Sequence, residues 1–288
     1  MAIISANTIK IALTLLKNLH QNLICRIKTD QGTFMKFLSM TKASLITTDK
    51  QRSKSKILTA LTTGTSIAAI GALSMTAPTL ANAKTVQPSS ANYSFTVEDK
   101  YKGTATRTLN QSGNTWKYDV NARVAGVASA AQSSTFTING NNVVPTQAQT
   151  TYKLLGLGRT HKLSFNPSAK KVTSTYKGKT TTMNMAQQAF DDLSLEVQIR
   201  QDLLNGKFSG NYYMAKKDKI EKTPFKKSGN TKITVPAGTF DTVRVDRIHD
   251  DDSRSTSFWL APSLDYLPVK VSQINDGKKM DLELTKVN

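Results

Sequence analysis

The stretch Tyr93-Ser94-Phe95-Thr96-Val97-Glu98 decides the fold class, because its apolar and polar residues alternate strictly. An extended strand points successive side chains to opposite faces, so one face of this segment belongs on a core and the other in water. The same alternation recurs in Trp116-Lys117-Tyr118-Asp119-Val120 and, near the C-terminus, in Met280-Asp281-Leu282-Glu283-Leu284. From Asn92 onward we therefore expect roughly nine to eleven antiparallel strands.

Turn residues separate these strands at regular intervals, because Gly and Asn tolerate the positive φ angles of tight hairpins. We predict turns at Gln111-Ser112-Gly113-Asn114, Asn139-Gly140-Asn141-Asn142, Asn166-Pro167-Ser168-Ala169, Lys177-Gly178-Lys179, Lys227-Ser228-Gly229-Asn230 and Asn275-Asp276-Gly277-Lys278. The apolar segment Leu154-Leu155-Gly156-Leu157-Gly158 differs from them, and we interpret it as a bulge between strands or as a loop at the mouth of a cavity.

One segment, between positions 183 and 206, replaces the alternation with apolar residues spaced by three and four. That spacing predicts an amphipathic helix over 186–205. Asp191 or Asp192 suits its N-cap, and Gly206 suits a left-handed position at its C-terminal end. A helix between two runs of strands packs across one face of their sheet. We therefore predict a mainly β fold, a strongly curved antiparallel sheet or half-open barrel with one helix packed on the concave face.

The first 83 residues carry the pattern of a secretory signal. A basic run at 50–56 precedes an uncharged segment at 57–75, and Ala81-Asn82-Ala83 then matches a small-residue cleavage site. An uncleaved membrane anchor is the alternative, since roughly 20 apolar residues could just span a bilayer. The predicted organisation is a non-native N-terminal extension at 1–39, a signal peptide at 40–83 cleaved after Ala83, a linker at 84–91 and a single β domain at 92–288. The mature protein is then periplasmic or secreted.

The chain after Ala83 is basic, with 29 Lys and Arg against 18 Asp and Glu and a formal charge of +11. This charge favours anionic partners such as phospholipid head groups, lipopolysaccharide phosphates or acidic glycans, and a periplasmic location argues against nucleic acid. A generally basic, soluble surface is the alternative. The single cysteine, Cys25, lies in the segment predicted to be removed, so the mature chain has no disulfide.

Five lysines form the candidate anion-binding surface: Lys216, Lys217, Lys219, Lys226 and Lys227. Tyr212, Tyr213 and Phe225 occur near them, so this run could contact the phosphates of an anionic membrane while the rings lie at the lipid interface. Solvated hairpin ends produce the same pattern.

Residues for catalysis or metal binding are scarce after position 83. His161 and His249 lack partners at metal-ligand spacing, and Ser194 lacks the G-x-S-x-G turn of a nucleophile. Asp250-Asp251-Asp252 beside His249 is the best metal candidate, and a solvated hairpin tip explains it equally well. We predict no catalytic residue, no metal and no cofactor, and an enzyme that uses this acidic cluster is the least favoured hypothesis.

The second half of the chain carries three motifs: Asp191-Asp192-Leu193-Ser194-Leu195, Val235-Pro236-Ala237-Gly238-Thr239-Phe240-Asp241-Thr242-Val243-Arg244-Val245, and Phe258-Trp259-Leu260-Ala261-Pro262 with Leu267-Pro268-Val269-Lys270-Val271. Together they resemble domain of unknown function 3108, a family of the bacterial envelope. The resemblance implies a periplasmic domain that looks like the lipoprotein carriers, a half-closed antiparallel barrel around an apolar cavity with the helix as a plug. It implies no catalytic residues, because no activity is established for the family.

Leu195, Phe240 and Trp259 are the candidate lining residues of such a cavity, and an ordinary apolar core accounts for them equally well. We expect a non-enzymatic periplasmic protein that binds or carries an apolar or amphipathic anionic envelope molecule such as a lipid. The alternative is a surface-interaction or scaffold domain for an envelope protein or an acidic glycan. A largely apolar cavity of roughly 300 Å³ or more distinguishes the first function from the second.

Overall fold

Fifteen β-strands surround one α-helix in the computed structural model, which describes residues 83–124 and 128–288. The predicted N-terminal extension and all of the predicted signal peptide except Ala83 lie outside these residues. The strands are β1 Ser89–Val97, β2 Tyr101–Ser112, β3 Thr115–Val124, β4 Ala128–Asn139, β5 Asn142–Leu154, β6 Leu157–Asn166, β7 Lys171–Tyr176, β8 Lys179–Asn184, β9 Ala189–Phe190, β10 Asn211–Ala215, β11 Ile220–Val235, β12 Gly238–Arg247, β13 Arg254–Ala261, β14 Leu267–Asn275 and β15 Lys278–Val287. The helix α1 spans Asp192–Leu204, and a short 3-10 helix spans Pro262–Leu264.

The strands form one sheet in which neighbours in sequence are also neighbours in space. Its order is β8-β7-β6-β5-β4-β3-β2-β1-β15-β14-β13-β12-β11-β10-β9. Neighbouring strands run antiparallel, apart from β9, which runs parallel to β10. The predicted mainly β, antiparallel fold class is confirmed. The predicted strand number was too low, because turns without Gly or Asn, such as Glu98-Asp99-Lys100, separate further strands.

The predicted turns join consecutive strands in every case but one. The exception is Lys227-Ser228-Gly229-Asn230, which lies inside β11. The ladder between β11 and β12 shifts register between Lys227 and Asn230, and Gly229 has a φ of 111°. The glycine therefore marks a β-bulge within a long strand. The segment 154–158, interpreted as a bulge or a loop, contains the tight turn between β5 and β6.

The helix α1 begins at Asp192 because Asp191 caps it. The Asp191 carboxylate accepts hydrogen bonds from the backbone N–H groups of Leu193 at 2.9 Å and Ser194 at 3.3 Å. The Ser194 hydroxyl also donates to this carboxylate at 2.6 Å, and it accepts from the Asp191 N–H at 3.1 Å. This reciprocal box satisfies backbone donors that the first helical turn leaves open.

The prediction that α1 is amphipathic was wrong, because the side chains from 193 to 203 are all buried. Strands β4 and β5 contact the helix, and so do β9 and β10 from the other end of the sheet order. A sheet that touches one helix from both ends must curve around it, so the predicted packing on the concave face is confirmed. The helix is shorter than the predicted 186–205, since Ala189–Phe190 pairs with β10. Gly206 follows its end with a φ of 66°, as predicted.

The polar face of α1 is paired inside the sheet. Glu196 accepts a hydrogen bond from the guanidinium of Arg107 on β2 and another from the Tyr118 hydroxyl at 2.8 Å. The side chains of Arg107 and Glu196 are only 1% and 2% exposed. The Arg107 guanidinium also lies 5.6 Å and 5.4 Å from the ring centroids of Tyr93 and Tyr118. The two opposite charges therefore neutralise each other inside the sheet, where both side chains are buried.

The segment predicted as a linker, 84–91, packs on the domain. Strand β1 begins within it at Ser89, and Val86 is fully buried. The Val86 N–H donates to the side-chain oxygen of Gln201 near the C-terminal end of α1 at 3.1 Å. Residues just after the predicted cleavage site therefore help to hold the helix in place.

The two ends of the sheet, β8 and β9, meet through side chains. Among the described residues the hydrogen-bonded order of strands ends at these two strands. An apolar cluster of buried side chains from β6, β7, β8, β9, β10 and the segment after β8 fills the junction: Leu163, Phe165, Val172, Met183, Met185, Ala189 and Ala215. We call this packed junction the seam.

Candidate functional site

A cavity of about 340 Å³ lies beside the N-terminal end of α1 and borders the seam. Its apolar wall comes from both halves of the sheet and from the helix: Ala148, Leu163, Leu193, Met214, Phe225 and Phe258. The rings of Phe225 and Phe258 contact each other, with centroids 6.4 Å apart. The curved sheet therefore joins distant parts of the chain into one apolar surface.

Positive side chains form much of the remaining lining: Lys216, Lys217, Lys219, Arg247 and Arg254. The Glu221 carboxylate lies 3.0 Å from Lys219, 3.6 Å from Arg247 and 3.9 Å from Lys216. Asp191, Asp192 and Asp218 also line the cavity, so five cations face four carboxylates. Burial lowers the pKa of Lys216, since desolvation disfavours its charged ammonium group. An anion beside Lys216 would relieve that penalty.

A neutral part of the lining lies around Tyr152 and His161. The Tyr152 and Tyr176 hydroxyl oxygens are 2.8 Å apart, and burial followed by this hydrogen bond raises the pKa of Tyr152 to about 12. Burial, and then the charge of Lys217, lowers the pKa of His161. The His161 Nε2 lies 2.9 Å from the Ser174 hydroxyl, but Ser174 is 1% exposed and does not line the cavity. This serine therefore has no access to a molecule in the cavity.

Three buried polar atoms in the lining have no hydrogen-bond partner among the described residues: Gln132 Oε1, Gln273 Oε1 and Arg247 Nε. The Gln132 and Gln273 side chains belong to residues that are only 5% and 8% exposed. Leaving a buried polar group unpaired costs about 1–3 kcal/mol. The residues that line the cavity thus contain two neutral acceptors and one charged donor that lack a partner in the described part of the chain.

Residues 90–283 match the family described as protein of unknown function, DUF3108. The chain belongs to the DUF3108 family. The match runs from β1 to β15, and it confirms the resemblance carried by the motifs after residue 190. No curated protein matches this DUF3108 chain.

Solved structures from three bacteria are similar to this DUF3108 protein. A β-barrel-like protein of domain of unknown function DUF1849 from Brucella abortus is 11% identical with a TM-score of 0.46, over 71% of this chain and 98% of the other. A protein with a YmcC-like fold from Bacteroides fragilis, inferred to be exported, is 9% identical with a TM-score of 0.28, over 71% and 97%. An inferred lipoprotein from Parabacteroides distasonis is 9% identical with a TM-score of 0.26, over 70% and 96%. These likenesses identify no ligand and no activity.

The candidate lysines of the DUF3108 protein separate into two groups. Lys216, Lys217 and Lys219 line the cavity, and the Lys217 ammonium lies 4.0 Å from the centroid of the Tyr176 ring. Lys226 and Lys227 are exposed on β11 and do not line this cavity. Lys226 follows cavity-lining Phe225, so the strand alternation turns Lys226 to the other face.

The three candidate apolar residues do not line this cavity either. Leu195 is fully buried in the main core of the domain. Trp259 follows cavity-lining Phe258 and therefore lies on the other face of the sheet, with the Arg244 guanidinium 5.4 Å from its ring centroid. Phe240 is half-buried near the turn between β11 and β12. Leu195 belongs to the main apolar core, and Phe240 and Trp259 pack against it.

Sequence reasoning missed Gln132, Gln273 and Arg247. One usable signal was present in β4, where the inward alternating positions hold Ala130, Gln132 and Ser134. Polar side chains on the inward face of a strand indicate either a buried network or a site. The same signal was present in β14, where Gln273 follows the inward residues Val269 and Val271, and in β12, where Arg247 follows inward Val245.

The acidic cluster 250–252 forms a solvated turn. The Asp251 carboxylate accepts a hydrogen bond from the Ser253 N–H at 2.9 Å and lies 3.3 Å from the Arg254 Nε. Within 83–124 and 128–288, no three His, Cys, Asp or Glu side chains are placed to hold a metal ion. In the same part of the chain, no helix combines the length and the apolar character needed to cross a bilayer.

Proposed function

We propose that the protein is a non-enzymatic periplasmic binding or carrier protein whose cavity holds an amphipathic, anionic envelope molecule. The observation that carries this proposal is that three buried polar atoms without a hydrogen-bond partner among the described residues, Gln132 Oε1, Gln273 Oε1 and Arg247 Nε, belong to residues that line one cavity together with an apolar wall. The signal peptide predicted before Lys84 supports a location in the cell envelope.

The lining defines the chemistry of the ligand. Its anionic group fits beside Arg247 and Lys216, and hydroxyl or amide donors fit the side-chain oxygens of Gln132 and Gln273. Its apolar part fits the wall that includes Phe258. A volume of about 340 Å³ lies near the lower end of the ~300–1,000 Å³ typical of ligand pockets. The cavity therefore suits one short alkyl chain with its head group better than a whole two-chain lipid.

Isothermal titration calorimetry with decanoate and with decanol tests this proposal. The two probes share an alkyl chain, and only decanoate carries a charge. We expect decanoate to bind more tightly, and Arg247→Gln to weaken decanoate binding by about tenfold or more through loss of a charge-assisted hydrogen bond. Lys226→Gln is the matched control, because Lys226 is exposed and does not line the cavity.

Equal affinity for the two probes, or no binding of either, would contradict charge recognition in the cavity. Native mass spectrometry of the protein purified from periplasm without detergent identifies the natural ligand class as an adduct that is lost on denaturation. A clean mass of the ligand-free protein, with no extractable lipid, would favour the alternative function of surface interaction with an envelope protein or an acidic glycan.

A further inference from the structure

The turn between β5 and β6 places two apolar side chains in water. Leu155 is 52% exposed and Leu157 is 83% exposed, the highest value among the large exposed hydrophobic residues of the described part of the chain. Single exposed apolar residues are ordinary on protein surfaces, but two large ones at the end of one hairpin form an exposed apolar patch. We call residues 155–157 the leucine tip.

The backbone shows that Leu155 serves neither the turn nor the core. Leu155 and Gly156 have φ values of 48° and 82°, a pair of positive angles that favours Asn-Gly or Asp-Gly in two-residue hairpins. Two other Gly-containing hairpin turns of this chain place Lys177 and Asp276 at the corresponding position, with φ values of 53° and 52°. A leucine with a positive φ is strained, since its side chain offers no local hydrogen bond in return. Because Leu155 is 52% exposed, partial burial compensates for little of the strain.

The leucine tip projects beyond β7, whereas β4 on the other side of the hairpin pairs with β5 as far as Leu154. The ladder between β5 and β6 continues to the pair Leu154 and Leu157, whereas the ladder between β6 and β7 begins only at His161 and Tyr176. Residues 157–160 therefore extend past the end of β7 by roughly 13 Å, at about 3.3 Å per residue. A narrow projecting hairpin end can insert into a lipid surface more readily than it can pack against a flat protein interface.

The charge around the leucine tip has one sign. Exposed Lys153 and Arg159 flank it on β5 and β6, and Lys177 occupies the next turn along the sheet. From 120 to 190, which contains strands β4 to β9, the sequence has eight Lys and Arg and no Asp or Glu. The end of the sheet formed by β4 to β8 therefore attracts an anionic surface through every charged side chain that it carries.

We propose that the leucine tip docks the domain on an anionic lipid surface, with Leu155 and Leu157 entering the boundary between head groups and acyl chains. Lys153 and Arg159 then contact lipid phosphates. The pair Tyr152 and Arg159 lies two residues from the tip in the ladder, and Tyr152 lines the cavity. Docking therefore brings the Tyr152 side of the cavity close to the membrane. The docking itself does not require that the cavity hold any particular ligand.

Vesicle flotation tests the proposal with vesicles of phosphatidylglycerol and phosphatidylcholine, and with vesicles of phosphatidylcholine alone. We expect the wild-type protein to float with the anionic vesicles at low salt and to be released as salt rises. The double variant Leu155→Asn with Leu157→Ser should bind about tenfold more weakly or worse, because it removes the apolar insertion. Asn at 155 suits the turn, so this variant keeps its fold, which thermal unfolding verifies.

Val287→Asn is the matched control, because Val287 is 40% exposed and lies on β15, five strands from β5 in the sheet order. It should float like the wild-type protein. The variant Leu157→Trp adds an independent readout, since insertion shifts its tryptophan emission to shorter wavelength only with anionic vesicles. Equal flotation of the wild type and the double variant would overturn insertion by the tip. A wild-type protein that floats with neither vesicle would overturn membrane docking and assign the tip to a protein partner.

Discussion

Glu196→Gln should strongly destabilise the domain, because it breaks the buried ion pair between α1 and β2. Arg107 and Glu196 are 1% and 2% exposed, so the Arg107 guanidinium would keep its charge in a site without bulk water. Breaking a buried pair by removing one partner costs about 3–5 kcal/mol. For a domain of this size each kcal/mol lowers Tm by about 2–4 °C, so the expected loss is roughly 6–20 °C. Circular dichroism during heating measures it, and urea unfolding gives the corresponding free energy.

Two further variants make this test decisive. Asp241→Asn makes the same carboxylate-to-amide change in the exposed pair with Lys232, whose side chains are 86% and 67% exposed, and it should change stability by less than about 0.5 kcal/mol. The double variant Arg107→Met with Glu196→Leu should recover most of the loss, since apolar residues can replace a buried pair. A loss below about 1 kcal/mol for Glu196→Gln would refute the reasoning, because it would mean that Arg107 finds compensation elsewhere.

Gly103→Ala should destabilise the domain by about 1–3 kcal/mol, because the added Cβ would overlap the Phe95 ring and lie 2.5 Å from the Arg123 carbonyl oxygen. Urea unfolding measures this loss, and an unchanged midpoint would show that β1 and β2 move apart freely. Burial, and then the charge of Arg247, lowers the pKa of His249 from 6.5 to about 4. The His249 imidazole therefore binds a proton more readily in the unfolded chain than in the folded one. Its contribution to the free energy of unfolding is complete above about pH 6.5 and is lost as the pH falls toward 4. Between these pH values the wild type should lose more thermal stability than His249→Gln, and parallel pH profiles would count against the shift.

The fold class was predictable from local patterns because each pattern acts within one element. The alternation of Tyr93, Phe95 and Val97 identifies a strand without information about its partner strands. Asp191 and Gly206 mark the two ends of the helix, because a capping side chain and a residue with a positive φ act within the nearest turn of the chain. The burial of the polar helix face was not predictable in this way. A helix pattern shows which side chains are apolar, but it does not show that a sheet encloses the opposite side as well.

The candidate site was predictable only in part, for the same reason. The charge run identified Lys216, Lys217 and Lys219, which are neighbours in sequence and remain neighbours in the cavity. Gln132 and Gln273 lie on inward positions of β4 and β14, and they line one cavity only because strand pairing and sheet curvature bring these two strands to the same interior. Register is a property of paired strands, and no single segment encodes it.

Because β8 and β9 meet at the seam through apolar side chains, with no ladder between them in the described residues, strand number and stagger do not set the circumference of this sheet as they do in a closed barrel. Parting the seam breaks van der Waals contacts but no backbone hydrogen bond between the two edges. Residues 185–188, which join β8 to β9 in the chain, limit how far the interior can widen around a larger guest. The same movement uncovers unpaired N–H and C=O groups along both edges, which gives an extended peptide a place to add as a further strand.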